Sequence, residues 1–202
     1  MRFRSTQSNK NSVTFKDAVF RCLPEDGGLY VPDKATDIRQ FFLYMDENTS
    51  FPELVAAVTP SLLEGEFNPV SAARVAESAF SFEPELIRLD KNFSILNLCN
   101  GPTGLFKDFG ITFLAAVMEE LKKESVKLVL SAVRGDSGVS IARAFTGRKG
   151  IRVILVYPSG PIRGLDSSAF VTNGGNIIPV SSGNINEIAT STDTHLRICL
   201  FM

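Results

Sequence analysis

The apolar positions of this chain follow two regimes. Up to about residue 90 they recur mostly at helical spacing. Ala72, Val75, Ala76 and Ala79 stand three and four apart, which predicts a helix over Ser71–Phe80. A second helix is expected at Phe51–Val58, with Pro52 near its first turn, where a missing N–H costs nothing. Thr14 followed by Asp17, ahead of Ala18-Val19-Phe20, predicts a short capped helix. Leu23–Gly28 reads as a turn leading into the apolar run Leu29-Tyr30-Val31, which Pro32 interrupts. Residues 1–90 are therefore expected to form a mainly helical opening segment.

From residue 91 onward, short apolar runs alternate with helical patterns. Phe93–Leu98, Lys127–Ser131, Ile151–Tyr157 and Asn176–Val180 predict strands. Helices are expected at Ile111–Leu121, where Ile111, Leu114, Ala115 and Met118 share a face, at Gly138–Phe145 and at Gly164–Val171. Strands without polar alternation, joined by helices, predict an α/β lobe over residues 91–202: a parallel sheet with flanking helices covering both faces. In such sheets the functional loops sit at the carboxyl ends of the strands, where Arg134–Gly138 falls.

Composition narrows the function. At 202 residues the chain can bury one sizeable core or two modest lobes. A formal net charge of −1 gives no reason to expect a nucleic-acid partner. No run approaches a membrane span, and Met-Arg-Phe-Arg-Ser-Thr-Gln lacks the apolar core of a secretory signal. Cys22, Cys99 and Cys199 are odd in number and widely spaced, which suggests reduced thiols in a cytoplasmic protein and offers no metal-ligand pattern. His195 is the only histidine, which argues against a histidine-rich metal site or a catalytic triad.

Candidate chemistry lies in two turns. Asn100–Gly110 reads Asn-Gly-Pro-Thr-Gly-Leu-Phe-Lys-Asp-Phe-Gly and sets Lys107 among hydrophobic residues just after a turn-forming Gly-Pro pair. A lysine becomes a nucleophile only as the free amine, which apolar surroundings or a nearby cation favour. Val133–Val139, Val-Arg-Gly-Asp-Ser-Gly-Val, follows an apolar run and precedes a helical pattern. That arrangement points backbone N–H groups at an anion, although Asp136 and Ser137 are equally ordinary helix caps. The turn has neither the dinucleotide glycine spacing nor the Walker pattern.

Taken together, the two turns resemble threonine synthase, of the second structural class of pyridoxal-phosphate enzymes. The family carries His-Gly-Pro-Thr-x-x-Phe-Lys-Asp-Phe/Val-Gly, against Asn100–Gly110 here, and Thr-Ser-Gly-Asp-Thr-Gly, against Val133–Gly138. Phe3-Arg4-Ser5-Thr6 and Asp26-Gly27-Gly28-Leu29-Tyr30-Val31-Pro32 resemble two N-terminal family motifs. Val156–Gly160 and Gly174–Ile177 continue the resemblance, which covers about residues 1–180.

The resemblance implies a tryptophan-synthase-β-like fold and a lyase acting on a carbon–oxygen bond to phosphate. O-phosphohomoserine and water would give threonine and phosphate, as part of amino-acid biosynthesis. Lys107 would be the Schiff-base lysine and proton shuttle for pyridoxal 5′-phosphate. Gly135, Ser137 and Gly138 would hold the substrate carboxylate, and Asp136 would lie near the cofactor's 3′-oxygen. Asn100, Thr103 and Asp108 would be orienting or phosphate-side groups. No metal is implied.

Two residues depart from the family: Arg134 replaces a small serine, adding a permanently charged fork, and Asn100 replaces a titratable histidine. Family members are also considerably longer. Ser181-Ser182-Gly183-Asn184-Ile185-Asn186 resembles their phosphate cradle only superficially and reads as a plain loop. The sequence therefore reads as an incomplete enzyme fold, truncated after its α/β lobe. Its expected partner is a missing C-terminal portion or a second copy. The alternative is a degenerate fragment serving as a non-catalytic ligand-binding or interaction module.

Overall fold

The structure, a computed structural model, describes residues 1–8, 11–63, 65–122, 127–132, 137–158 and 175–183. It divides into two compact units, Met1–Ser81 and Phe82–Met202.

In the first unit, β1 (Phe3–Ser5) lies between β2 (Ser12–Val13) and β3 (Tyr30–Pro32) in an antiparallel sheet, with Phe3 opposite both Val13 and Pro32. The strands are too short to show an alternation, and β1 and β2 were not expected. Helix α1 (Phe15–Arg21) starts where Thr14 predicts, its hydroxyl accepting from the Asp17 N–H at 3.0 Å, and ends at Cys22, which is disulfide-bonded where a reduced thiol is expected from the sequence. Helix α2 (Arg39–Phe42) is a single turn. Helix α3 (Phe51–Leu62) opens on a capping box in which Ser50 and Glu53 satisfy each other's backbone N–H groups. Helix α4 (Pro69–Ala79) is capped by Asn68 and buries Ala72, Val75, Ala76 and Ala79, the face that the spacing predicts. Phe51 packs edge-on to Phe80 with ring centroids 4.8 Å apart, closing α3 onto α4.

Two of the quoted N-terminal motifs meet in this unit. Asp26 Oδ1 accepts from the Ser5 hydroxyl at 2.6 Å and from the Gly28 N–H at 3.0 Å. These two donors, the Ser5 hydroxyl first, hold the Asp26 carboxyl below its ordinary pKa. A Cβ at Gly28 would collide with the Ser5 hydroxyl, so the glycine lets the turn close against β1.

The second unit begins with an antiparallel hairpin of β4 (Glu85–Arg88) and β5 (Ser94–Asn97). The expected strand at Phe93–Leu98 is thus present, but it pairs with β4 outside the parallel sheet. Leu86, Ile87, Ile95 and Leu96 of this ribbon are all exposed. Helix α5 (Lys107–Leu121), strand β6 (Lys127–Ala132), helix α6 (Ser137–Phe145), strand β7 (Ile151–Pro158) and strand β8 (Ile177–Ser182) follow. The last three strands form a parallel sheet in the order β6-β7-β8, with Val129 opposite Val153 and Val153 opposite Ile177.

Ile151, Val153 and Leu155 are buried on one face of β7, and α5 and α6 bury Ile111, Ala115, Val117, Ile141 and Phe145. Burial of both faces does not extend to β8, whose Ile178 and Val180 are exposed. Ser181 and Ser182, expected in a loop, end β8. The helix expected at Gly164–Val171 lies outside the described residues. Among the described residues no helix is long and apolar enough to cross a membrane.

Candidate active site

Lys107 is the first residue of α5, four residues ahead of the expected helix start. Phe106 occupies the cap position in helical conformation and makes no side-chain cap bond. The turn before it is stabilised from the other side. Gly104 has φ +73° and donates its N–H to the Gly101 carbonyl at 3.1 Å, and the Asp108 N–H reaches the Leu105 carbonyl at 3.0 Å.

The carboxylate of Asp108 folds back into this turn. Its Oδ2 accepts from the Thr103 N–H at 2.8 Å, and its Oδ1 accepts from the Thr103 hydroxyl at 2.7 Å and the Ser140 hydroxyl at 2.6 Å. The two hydroxyl oxygens are 2.9 Å apart. Asp108 is only 1% exposed, and a buried carboxylate is tolerable only with such donors around it.

Helix α6 supplies the other half of the site. Ser137 and Gly138, its first two residues, are buried. Lys107 Nζ, half-buried, donates to Ser137 Oγ at 2.8 Å. A single amine therefore stands at the N-terminal ends of two helices. Helix N-termini carry partial positive charge, an environment that suits the anionic groups of a ligand.

The structure joins Lys107, Thr103 and Ser137, with Gly138 beside Ser137. Asn100 is exposed beyond the end of β5, and its side-chain Oδ1 accepts from Asn97 Nδ2 at 3.1 Å. Arg134, Gly135 and Asp136 lie outside the described residues. Two contributors were missed. Ser140 looks like an ordinary polar helix position and is revealed only by its burial. Asn176 sits in a quoted motif but had no role; its Nδ2 donates to the Phe145 carbonyl at 2.7 Å and the Ile151 carbonyl at 3.1 Å, and its Oδ1 accepts from the Gly147 N–H at 3.0 Å. It thereby ties the C-terminal end of α6 to β7.

At the far end of α5, Glu119 accepts from Arg148 Nη1 at 3.0 Å and the Lys149 N–H at 2.8 Å. Burial alone would push its carboxyl up. The Arg148 hydrogen bond, the Lys149 N–H and the charges of Arg148 and Lys122 outweigh that and hold it below its ordinary pKa.

This architecture is of a mixed helix–sheet class built on a small parallel sheet, and its solved neighbours are threonine synthases. The Escherichia coli enzyme superposes with a TM-score of 0.75 at 28% identity, covering 91% of this chain and 43% of that one. The pyridoxal-phosphate-bound threonine synthase of Brucella melitensis gives a TM-score of 0.82 at 25% identity, over 94% and 43%. Residues 2–80 match the family described as threonine synthase N terminus. Haemophilus influenzae threonine synthase is 32% identical over 174 residues, 85% of this chain and 40% of that protein. The chain thus resembles the N-terminal portion of threonine synthases, and spans about two-fifths of the length of the curated relatives it matches.

Proposed function

We propose that this chain provides the lysine-bearing portion of a threonine synthase-type enzyme, which converts O-phosphohomoserine and water to threonine and phosphate in the cytoplasm. The observation that carries the reading is the 2.8 Å contact between Lys107 Nζ and Ser137 Oγ at the starts of α5 and α6. An amine, a hydroxyl and two helix N-termini are the donor set that an aldehyde-bearing, phosphorylated cofactor requires, so the residues present fit pyridoxal phosphate.

When bound, that cofactor draws electrons from the substrate's α-carbon. Lys107 is the group that holds it and afterwards carries the proton to and from the reacting carbon. Ser137 keeps the amine aimed by accepting its hydrogen bond, and with Gly135 and Gly138 it receives the substrate carboxylate. Asp136 serves the cofactor's 3′-oxygen. Arg134, next in sequence to the carboxylate loop, brings a fixed positive charge to the substrate, and Asn100 and Thr103 serve as orienting or phosphate-side groups. The rest of the cofactor's cradle is expected from polypeptide equivalent to the remaining length of the relatives.

Borohydride reduction of the chain mixed with pyridoxal phosphate tests the reading, because it fixes the cofactor to whichever amine holds it. Peptide mass spectrometry should find the label concentrated on Lys107 and lost from that site in Lys107→Ala without a compensating gain elsewhere. Label spread evenly over exposed lysines, and unaltered in total by Lys107→Ala, would refute it.

A further inference from the structure

We infer that Ser140 is a positioning residue for Lys107, acting through the buried carboxylate of Asp108; this rests on the role given to Lys107 above. Ser137 and Ser140 stand three apart on α6, so their hydroxyls share one face. Lys107 and Asp108 are consecutive on α5. The two pairs meet: Lys107 Nζ lies 2.8 Å from Ser137 Oγ, and Asp108 Oδ1 lies 2.6 Å from Ser140 Oγ. The outer contact carries the chemistry, and the inner one fixes where it happens.

The two contacts differ in character. Asp108 and Ser140 are each 1% exposed, so their bond is shielded from water. Lys107 is half-buried at the end of a four-carbon stem with many rotamers. The reach of its amine depends on where its backbone stands, and the neighbouring Asp108 sets that.

Three donors reach this carboxyl group from two elements: the Thr103 and Ser140 hydroxyls at Oδ1 and the Thr103 N–H at Oδ2. Without the Ser140 hydroxyl every remaining donor among the described residues comes from Thr103, on the turn. The carboxylate then loses its hold on α6, and the first turn of α5 drifts from Ser137.

Three variants of the whole chain test this. Ser140→Ala and Thr103→Val each remove one hydroxyl, and Thr103→Ser keeps it. Each variant is treated with sub-saturating pyridoxal phosphate and reduced with borohydride well below its melting temperature. Label on Lys107 is then expressed relative to exposed Lys91 in the same sample, a ratio that a general loss of stability does not lower. It should fall about fivefold to tenfold in Ser140→Ala and Thr103→Val, the scale of one buried hydrogen bond, and stay within about twofold in Thr103→Ser.

Amide exchange gives a second readout that needs no cofactor. The Thr103 N–H, which donates to Asp108, should exchange about tenfold faster in Ser140→Ala. An unchanged ratio in folded Ser140→Ala, or a fall in Thr103→Ser equal to that in Thr103→Val, overturns the positioning role. A wild-type chain with no preference for Lys107 overturns the cofactor reading instead. Amide exchange then decides the clasp: acceleration supports it and unchanged exchange overturns it.

Discussion

Replacing Gly101 by alanine should damage the lysine turn far more than its single methyl suggests. A Cβ at this position would stand 2.5 Å from Asp108 Oδ2, 2.6 Å from Asp108 Cβ and 2.9 Å from Asp108 Cγ. Carbon atoms settle at about 3.5–4.0 Å, so one partner must give way by about 1 Å. Asp108 is buried and held by three hydrogen bonds, and cannot swing aside while keeping them.

Overpacking of this kind costs about 1–3 kcal/mol, and losing one hydrogen bond to a charged carboxylate adds about 1.5–3 kcal/mol. The expected loss of about 2.5–6 kcal/mol is a large part of a stability of about 5–15 kcal/mol. Urea unfolding followed by circular dichroism measures it, with amide exchange across residues 107–121 locating the damage. Gly110→Ala is the control. Among the described residues nothing beyond its own helix lies within 4 Å of its added Cβ, so alanine should stabilise the helix by about 0.5–1 kcal/mol. Equal effects at the two glycines, or a loss below about 1 kcal/mol at Gly101, would refute the packing argument.

Two further outcomes concern the frame around the site. Asn176→Ala removes three side-chain hydrogen bonds at the end of α6 and should cost about 2–4 kcal/mol, read by urea unfolding; a loss under about 0.5 kcal/mol would assign those contacts no weight. Because the folded carboxyl of Glu119 titrates below its ordinary value of 4.5, its contribution is present above that value and is lost as pH falls through the lower folded one. The stability gap between wild type and Glu119→Gln should therefore be widest at about pH 7 and shrink at about pH 3.5, and a gap that grows with acid would contradict the sign.

Periodicity was informative where elements are long. It anticipates α3, α4, α6 and the strands β6 to β8 to within a few residues, because each offers a full turn or more of patterned apolar side chains. It fails at β1, β2 and β4, where two to four residues carry no period and pairing decides. The start of α5 was misplaced for a different reason. Gly110 lowers helix propensity in the first turn, and Phe106 offers no capping side chain, so the usual start signal is missing. That turn is held instead by Thr103 and Ser140, the second of which lies 32 residues away from Asp108. Lys107 stood out because a motif surrounds it, whereas Ser140 had only its burial to mark it.

The spacing of the lysine and its serine also sets an order of events on the ribosome. Strand β1 finds β2 and β3, and α3 finds α4, within the first 81 residues, so that unit has its internal partners early in synthesis. Lys107 emerges next, 30 residues ahead of Ser137. At about 5–20 residues per second the amine waits roughly 2–6 s for the helix that will receive it. During that interval the nascent chain displays a lysine with no built environment, as open to passing aldehydes as any other amine on its surface. The surroundings that set Lys107 apart from other lysines are thus absent until the second helix docks and Ser137 reaches its amine.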